Sequence, residues 1–266
     1  MVKTYVEIFK RHFSIELEYR TQVVTSILSS FIAILTIVVF WLVVYQSRET
    51  IGGLTLSTTL IYYSFTPLIG LITRVNSADQ MGNSIKDGEL SQILVKPLNV
   101  WKTYFASFMS GKVSSLLFAA PLYIMVIVIV SLWQNVHVFT FLGIMSAAII
   151  CVLILLTMWI LDSLMGSLAF FISDIWWFSH FKSALFGIFA GVSFPFEFLP
   201  NAVRGIFEFL PFKYLYYVPI SYALSNRDPS ILIKDIFQIL LWAILFMVIS
   251  GIMWKKGLRT YDAYGN

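Results

Sequence analysis

Asp162 is the one carboxylate in this sequence with long apolar sequence on both sides. An acidic side chain at membrane depth can relay protons or ions when a second acid or a histidine lies beside it. No acid or histidine lies one helical turn from Asp162, and the three histidines, His12, His137 and His180, fall in three different segments. The simpler interpretation is a residue at the membrane interface, at the end of an apolar helix.

Gly111-Lys112 is the closest approach to a phosphate-binding sequence. A P-loop requires Gly-x-x-x-x-Gly-Lys-Ser/Thr, so that backbone N–H groups surround the phosphate. Here Ala106 stands where the first glycine belongs, and Val113 follows the lysine. Lys112 begins an apolar stretch, and we expect its ammonium group to extend to the membrane interface. The sequence therefore predicts no catalytic residue, no nucleotide site and no metal site in this chain.

The segment 83–98 is the most informative polar stretch. Gly88 can end one short helix, and Pro97 prevents a second helix from continuing. Between them, three apolar residues form a one-sided stripe: Leu90, Ile93 and Leu94. A helix beside a membrane with its own apolar face suits a groove on another protein. The alternative is a helix that lies back on the lipid headgroups, and the pattern leaves both open.

The elements that must position these residues are apolar helices. The chain is 59% hydrophobic and 12% charged, whereas a soluble domain carries about 25% charged residues. Between Lys112 and Asp162, 49 residues carry no charge, which is enough for two helices of about 20 residues crossing a bilayer. Backbone groups in lipid must be hydrogen-bonded internally, and the strict alternation of a membrane β-barrel is missing.

The sequence thus predicts an all-α polytopic membrane protein with one transmembrane domain over residues 1–266. An amphipathic helix over 3–20 precedes six spans, at about 22–45, 54–74, 110–132, 141–162, 183–197 and 236–254. The bounds of the fourth and fifth are ambiguous, because 141–173 could form one long helix. With six spans, 13 of the 18 lysines and arginines lie on the inner side, so both termini are predicted to be cytoplasmic.

Two motifs resemble those of ABC-2 type exporter permeases, in particular a bacterial branch of about this length with six spans and a separately encoded ATPase. The first is Gly88-Glu89-Leu90, then Leu94 and Lys96-Pro97-Leu98. It is similar to the family's Gly-x-Leu…Leu-x-x-Pro-Leu loop. The second comprises Phe194-Pro195-Phe196-Glu197-Phe198-Leu199-Pro200, Leu210-Pro211-Phe212 and Tyr217-Val218-Pro219. Both motifs occur in the family's order.

The resemblance implies a role for each polar segment. The helix over 3–20 would be an elbow helix, and 83–97 would hold a coupling helix that docks on a nucleotide-binding subunit. The coupling residues would be Ile85, Asp87, Gly88, Glu89, Leu90, Ile93, Leu94, Lys96 and Pro97. Short re-entrant helices around 198–212 would form an outer gate with Pro195, Glu197, Pro200, Phe207 and Pro211.

The resemblance also implies the partners. Two copies of an ABC ATPase would bind ATP and Mg, this chain would bind no cofactor, and a second permease chain, identical or homologous, would complete the pathway in a bacterial cell membrane.

Independently, Gly187 and Gly191 have the small-xxx-small spacing of packed membrane helices. The net charge of +4 is explained by membrane topology, so no nucleic acid is expected. A secondary transporter or a membrane scaffold protein without an ATPase remains the alternative.

Overall fold

The computed structural model describes residues 2–18, 20–135, 140–172, 176–192, 196–198, 205 and 208–261. Within these ranges the helices are α1 (Val2–Glu18), α2 (Arg20–Val44), α3 (Leu56–Thr73), α4 (Ala78–Lys86), α5 (Glu89–Leu94), α6 (Val100–Gln134), α7 (Phe141–Ser167), α8 (Trp176–Phe189), α9 (Tyr217–Ala223) and α10 (Leu232–Thr260). Short 3-10 turns lie at Tyr45–Ser47, Leu168–Phe170, Phe196–Phe198, Pro211–Tyr214 and Pro229–Ile231. A two-stranded antiparallel hairpin, β1 (Thr50–Ile51) with β2 (Leu54–Thr55), joins α2 to α3.

Four helical segments among the described residues are long and apolar enough to cross a membrane. They are Leu56–Lys86, Val100–Gln134, Phe141–Phe170 and Pro229–Thr260. These segments contain the predicted third, fourth and sixth spans and, apart from Leu54 and Thr55 of β2, the predicted second, which agrees with an all-α membrane protein. The predicted first span coincides with α2, whose apolar stretch Phe31–Ser47 is shorter, and its crossing stays a prediction.

The helix in the region of the predicted fifth span, 183–197, has other bounds, and its crossing of the membrane stays a prediction. α8 begins at Trp176, has 14 residues and rises only about 21 Å, less than the ~30 Å of a bilayer core. It ends before Gly191, whose φ of 86° is left-handed. Gly191 therefore lies in a turn, so Gly187 and Gly191 do not share a helix face. Among the described residues, a Cβ on Gly187 would meet no atom within 4 Å.

The core lies where α3 and α7 meet the segment from Pro211 to Ala223. The side chains of Tyr214, Leu215, Val218, Ile220 and Tyr222 are fully buried in this core, together with Leu60 and Ile61 of α3 and Ile150 and Ile154 of α7. Such a segment is not a solvated loop, because its large side chains are packed on several sides. Within a membrane bundle such side chains stabilise the fold through van der Waals packing, because lipid is as apolar as the protein interior.

The same segment penetrates deeply between the helices. The C-terminal ends of α3 and α7 lie together, since Ser77, four residues after α3, donates its backbone N–H to Asp162. At that end Thr73 donates its hydroxyl to the Leu215 carbonyl at 3.0 Å. At the opposite end the Tyr222 carbonyl leaves no room for a Cβ at Gly143, in the first turn of α7. Residues 215–222 thus run through the bundle interior.

Candidate functional site

Asp162 is the centre of a buried polar cluster. Lys182 of α8 donates to its Oδ1 at 2.5 Å, and both side chains are almost completely buried. The Oδ2 atom accepts the backbone N–H groups of Ser77 at 2.8 Å and Ala78 at 3.3 Å. Lys182 also donates to the Val75 carbonyl at 3.0 Å. The carboxylate thus satisfies N–H groups that the start of α4 leaves without an intrahelical partner.

This cluster shows that Asp162 is buried and ion-paired, which the sequence analysis did not predict, whereas its place at the membrane interface stays a prediction. A buried ion pair persists only when its other polar atoms are also hydrogen-bonded, and here both carboxylate oxygens are. The sequence analysis missed Lys182 because that residue is far from Asp162 along the chain. One signal was available in the sequence. Lys182 is the only lysine or arginine between Lys112 and Arg204, so it was the one cationic residue of that stretch with which a buried carboxylate could pair.

Lys112 binds the first end of the connector between α3 and α4, where α3 finishes. Its Nζ donates to the carbonyls of Leu71 at 2.8 Å and Arg74 at 2.6 Å. These carbonyls belong to the C-terminal turn of α3, where the helix leaves acceptors unpaired and favours a cation. The expectation that Lys112 reaches the membrane interface stays a prediction, and the structure adds that its ammonium group is bonded to these two carbonyls. The connector 74–77 is held by α6 at one end and by α7 and α8 at the other.

α4 and α5 form a short helical hairpin that carries the predicted coupling residues. The break between the two helices lies at Gly88, as predicted, and its φ of 75° is left-handed, which favours glycine. Ser84 of α4 and Tyr104 of α6 share a hydrogen bond of 2.6 Å. Because Gly166 has no side chain, α4 can approach α7 closely: a Cβ on Gly166 would lie only 2.8 Å from the Met81 Cβ. The hairpin is thus packed directly on the bundle.

The apolar stripe predicted on α5 does not face outward as a unit. Leu90 is fully buried, and with Ile85 it packs in a cluster formed by Met81, Val100, Tyr104 and Trp254. The Leu90 side chain, in the first turn of α5, packs the hairpin against the bundle. The exposed apolar residues are Leu94, at 42%, and Val95, at 83%. Leu90 is therefore a core residue of the hairpin within this chain, and the docking role of the predicted coupling residues stays a prediction.

The remaining predicted coupling residues surround that exposed pair. Asp87, Glu89, Lys96 and Pro97 are exposed, whereas Gly88 and Ile93 are half-buried. We call Leu94 and Val95 with their charged neighbours Asp87, Glu89 and Lys96 the hairpin tip. The tip presents two aliphatic side chains amid charges of both signs, which is the composition of a small protein-binding surface.

A second buried cluster lies at the other end of the bundle, around Asp235 in the first turn of α10. Arg227 binds both carboxylate oxygens at 2.7 Å. The hydroxyls of Tyr214, at 3.1 Å, and Tyr222, at 2.7 Å, donate to the same carboxylate. Burial alone would lower the pKa of Arg227, but the hydrogen bonds and charge of Asp235 raise it. This cluster anchors the interior segment to α10, and sequence reasoning did not find it.

The predicted outer gate is described only in part. Pro195, Pro200 and Phe207 lie outside the described residues, and so does the side chain of Glu197, which belongs to the turn Phe196–Phe198. Pro211 is buried and begins the 3-10 turn Pro211–Tyr214, a position that suits its fixed φ. The gate therefore stays a prediction, and only Pro211 and Glu197 have a described place in the fold.

Residues 31–265 match the family described as ABC-2 family transporter protein. No curated protein matches the chain significantly. The matched range includes the α4–α5 hairpin and both buried clusters. This chain therefore belongs to the ABC-2 transporter family, a membership that makes it a membrane component, suggests the permease of an ABC exporter and implies association with an ABC ATPase subunit.

Proposed function

We propose that this chain is the permease subunit of an ATP-driven ABC-2 type exporter and that its hairpin tip docks on a separate nucleotide-binding subunit. The single observation that carries the proposal is the arrangement of the hairpin. Its inner face is buried against α6, α7 and α10, while Leu94 and Val95 remain exposed at its tip. An exposed aliphatic pair beside a membrane suits a groove on a partner protein.

The Asp162 cluster provides the route by which docking acts on the bundle. A force on the tip displaces α4, whose first N–H groups are bonded to Asp162 of α7. Lys182 extends the connection to α8. Nucleotide binding on the partner would therefore shift packed helices as rigid bodies. This is coupling between two sites, one on each subunit.

The assembly follows from the same proposal. Two ATPase subunits would bind ATP and Mg, and a second permease chain, identical or homologous, would line the pathway with this one. The end of the bundle that carries α4 and α5 would be cytoplasmic, together with both termini, in a bacterial cell membrane. The outer gate would lie at the Asp235 end. Each permease chain would change conformation without breaking a bond.

A secondary transporter is less favoured because of the partners of Asp162. A coupling carboxylate must exchange its proton or ion with the pathway. Asp162 instead has each oxygen hydrogen-bonded to Lys182 or to the start of α4. That arrangement suits a structural role. A membrane scaffold protein that does not transport would differ from the proposed permease, because it would bind no ATPase at the hairpin tip.

The test is co-purification of an ATPase with tip variants from the native membrane. Val95→Asp places a charge in the exposed aliphatic pair and should abolish co-purification, whereas Asn83→Asp adds the same charge at another exposed position of the hairpin and should not. Neither residue is buried, so both variants should fold. Equal ATPase recovery with both variants would refute docking through the tip.

A further inference from the structure

A large cavity opens between α2, α3 and α6. Its volume is about 820 Å³, which lies within the range of small-molecule sites. Along α6 the lining extends from Ser107 to Tyr123, a distance of about 24 Å at 1.5 Å per residue. His12 of α1 and Tyr216 of the interior segment also contribute. The cavity therefore reaches from the hairpin end into the middle of the bundle.

The charge in this cavity has one sign. Among the described lining residues the charged side chains are Arg74 and Lys112, and no carboxylate lines the cavity. Arg74 is exposed, and no ion pair is found for it in the described part of the chain. Its guanidinium group therefore offers its donors to the cavity.

Lys112 is already fixed in place. Two of its three ammonium protons go to the carbonyls of Leu71 and Arg74, which leaves one for a ligand. The carbonyl acceptors are neutral, so the positive charge of Lys112 is not cancelled. A positioned lysine beside an unpaired arginine favours a bound anion, because hydrogen bonds between ionised partners are about twice as strong as neutral ones.

The polarity of the cavity changes along its length. Arg74 and Lys112 lie at the C-terminal end of α3, next to the polar residues Asn76 and Gln80. Pro67, about two turns earlier in α3, lies deeper and shares an apolar wall with residues of α2: Ala33, Ile34 and Ile37. One end thus suits a charged group, and the other suits a hydrocarbon chain.

We infer that this cavity binds an amphiphile whose anionic group lies between Arg74 and Lys112 and whose apolar chain extends along α2 and α3. The inference rests on the proposed function only in identifying the amphiphile as cargo. An anionic membrane phospholipid and a separately made amphiphile carrying a phosphate or carboxylate share this chemistry. They differ in whether the bilayer itself supplies the ligand.

The test is photolabelling of the full chain in phosphatidylcholine nanodiscs without ATP. The probe is dodecyl phosphate with a terminal diazirine, and the matched probe is the trimethylammonium compound of the same chain length. We expect the phosphate probe to label residues of α2 or α6 that line the cavity. Unlabelled dodecyl phosphate should compete, and inorganic phosphate should not, because it lacks the apolar chain.

Variants of Arg74 provide the decisive comparison. Arg74→Gln should lower labelling by the phosphate probe about ten-fold, the loss expected for one hydrogen bond to a charged group, and Arg74→Glu should favour the ammonium probe. Lys102→Gln, which removes an exposed cation elsewhere on α6, should change nothing. Equal labelling by the two probes, or unchanged labelling of Arg74→Gln, would overturn the inference.

Phosphatidylglycerol added to the nanodiscs distinguishes the two sources. Competition by this lipid identifies a bilayer phospholipid as the ligand, whereas competition by dodecyl phosphate alone identifies a separate amphiphile, and both results support the anionic site. No ATPase takes part in the assay. A negative result therefore leaves the docking of the hairpin tip untouched, and failure of docking leaves the labelling result untouched.

Discussion

Lys182 Nζ lies 2.5 Å from Asp162 Oδ1, and the same carboxylate accepts the first N–H groups of α4. Two helices of the bundle are thereby bonded to the helix that leads to the hairpin tip. The pair joins residues 20 positions apart in sequence.

Removing either partner should destabilise the protein. Lys182→Met leaves a buried carboxylate without its cation, and we expect a loss of about 3–5 kcal/mol in the free energy of unfolding. Lys10→Gln disrupts an exposed pair with Glu7 and should change it by less than about 1 kcal/mol. Thermal unfolding in detergent measures both effects, and equal melting temperatures would contradict the importance of the buried pair.

Exchanging the two charges should not restore stability. In the double variant Asp162→Lys with Lys182→Asp the ion pair can re-form, but a lysine cannot accept the N–H groups of Ser77 and Ala78. We therefore expect the double variant to stay well below the wild type in melting temperature. Full recovery would show that Asp162 acts only through its charge and not as the acceptor at the start of α4.

Leu90 and Leu94 should respond differently to the same substitution. Leu90→Asp buries a carboxylate among Met81, Ile85 and Trp254, which costs several kcal/mol, so the hairpin should open to proteases. Leu94→Asp, on the exposed side, should keep the hairpin protected and weaken only ATPase binding. Limited proteolysis followed by mass spectrometry of the segment 78–98 measures the difference. Equal protection of both variants would contradict the burial of Leu90.

The Arg227–Asp235 pair should require the guanidinium group itself. Arg227→Ala leaves Asp235 buried without a cation, with an expected loss of about 3 kcal/mol or more. Arg227→Lys keeps the charge but not the two parallel N–H bonds, so its stability should be intermediate. Lys234→Ala, at a neighbouring exposed position, is the control. A lysine variant as stable as the wild type would show that charge alone suffices.

Membrane orientation can be measured with single cysteines after Cys151 is replaced. Asn226→Cys, in the exposed loop after α9, should react with an impermeant thiol reagent in intact cells. Gln92→Cys, exposed on α5, should react only after permeabilisation. The prediction rests on the 13 of 18 lysines and arginines on the inner side, and the reverse labelling pattern would invert the proposed topology.

Local features of the sequence sufficed for much of the fold. The length of each apolar stretch predicts the position of a long helix, because all backbone hydrogen bonds of a helix form within its own segment. Gly88 marks the hairpin break, since a left-handed φ favours glycine. These features depend on few distant contacts, and therefore the predicted helices at 110–132 and 236–254 lie within helical segments of the structure, and the one at 54–74 agrees with such a segment from Leu56 onward.

Features that depend on distant contacts were missed. Lys182 meets Asp162 only because α8 folds against α7. Leu90 and Leu94 lie on nearly the same side of an ideal helix, yet α5 has only six residues. Leu90 and Ile93 pack on the bundle, whereas Leu94 at the end of the helix is exposed. The sequence analysis predicted re-entrant helices around 198–212 and did not predict that the following segment is buried in the bundle. Tyr214 and Tyr222 lie there because Asp235 satisfies their hydroxyls.

The most direct test of the account is nucleotide photolabelling of the complex purified from native membranes through a tag on this chain. With 8-azido-ATP and Mg, we predict that the label falls on a second polypeptide and not on this chain. Vanadate-sensitive ATP hydrolysis should accompany that polypeptide, and both signals should disappear with Val95→Asp and persist with Asn83→Asp. A wild-type preparation that transports without any labelled ATPase, or that carries the label on this chain, would contradict the account.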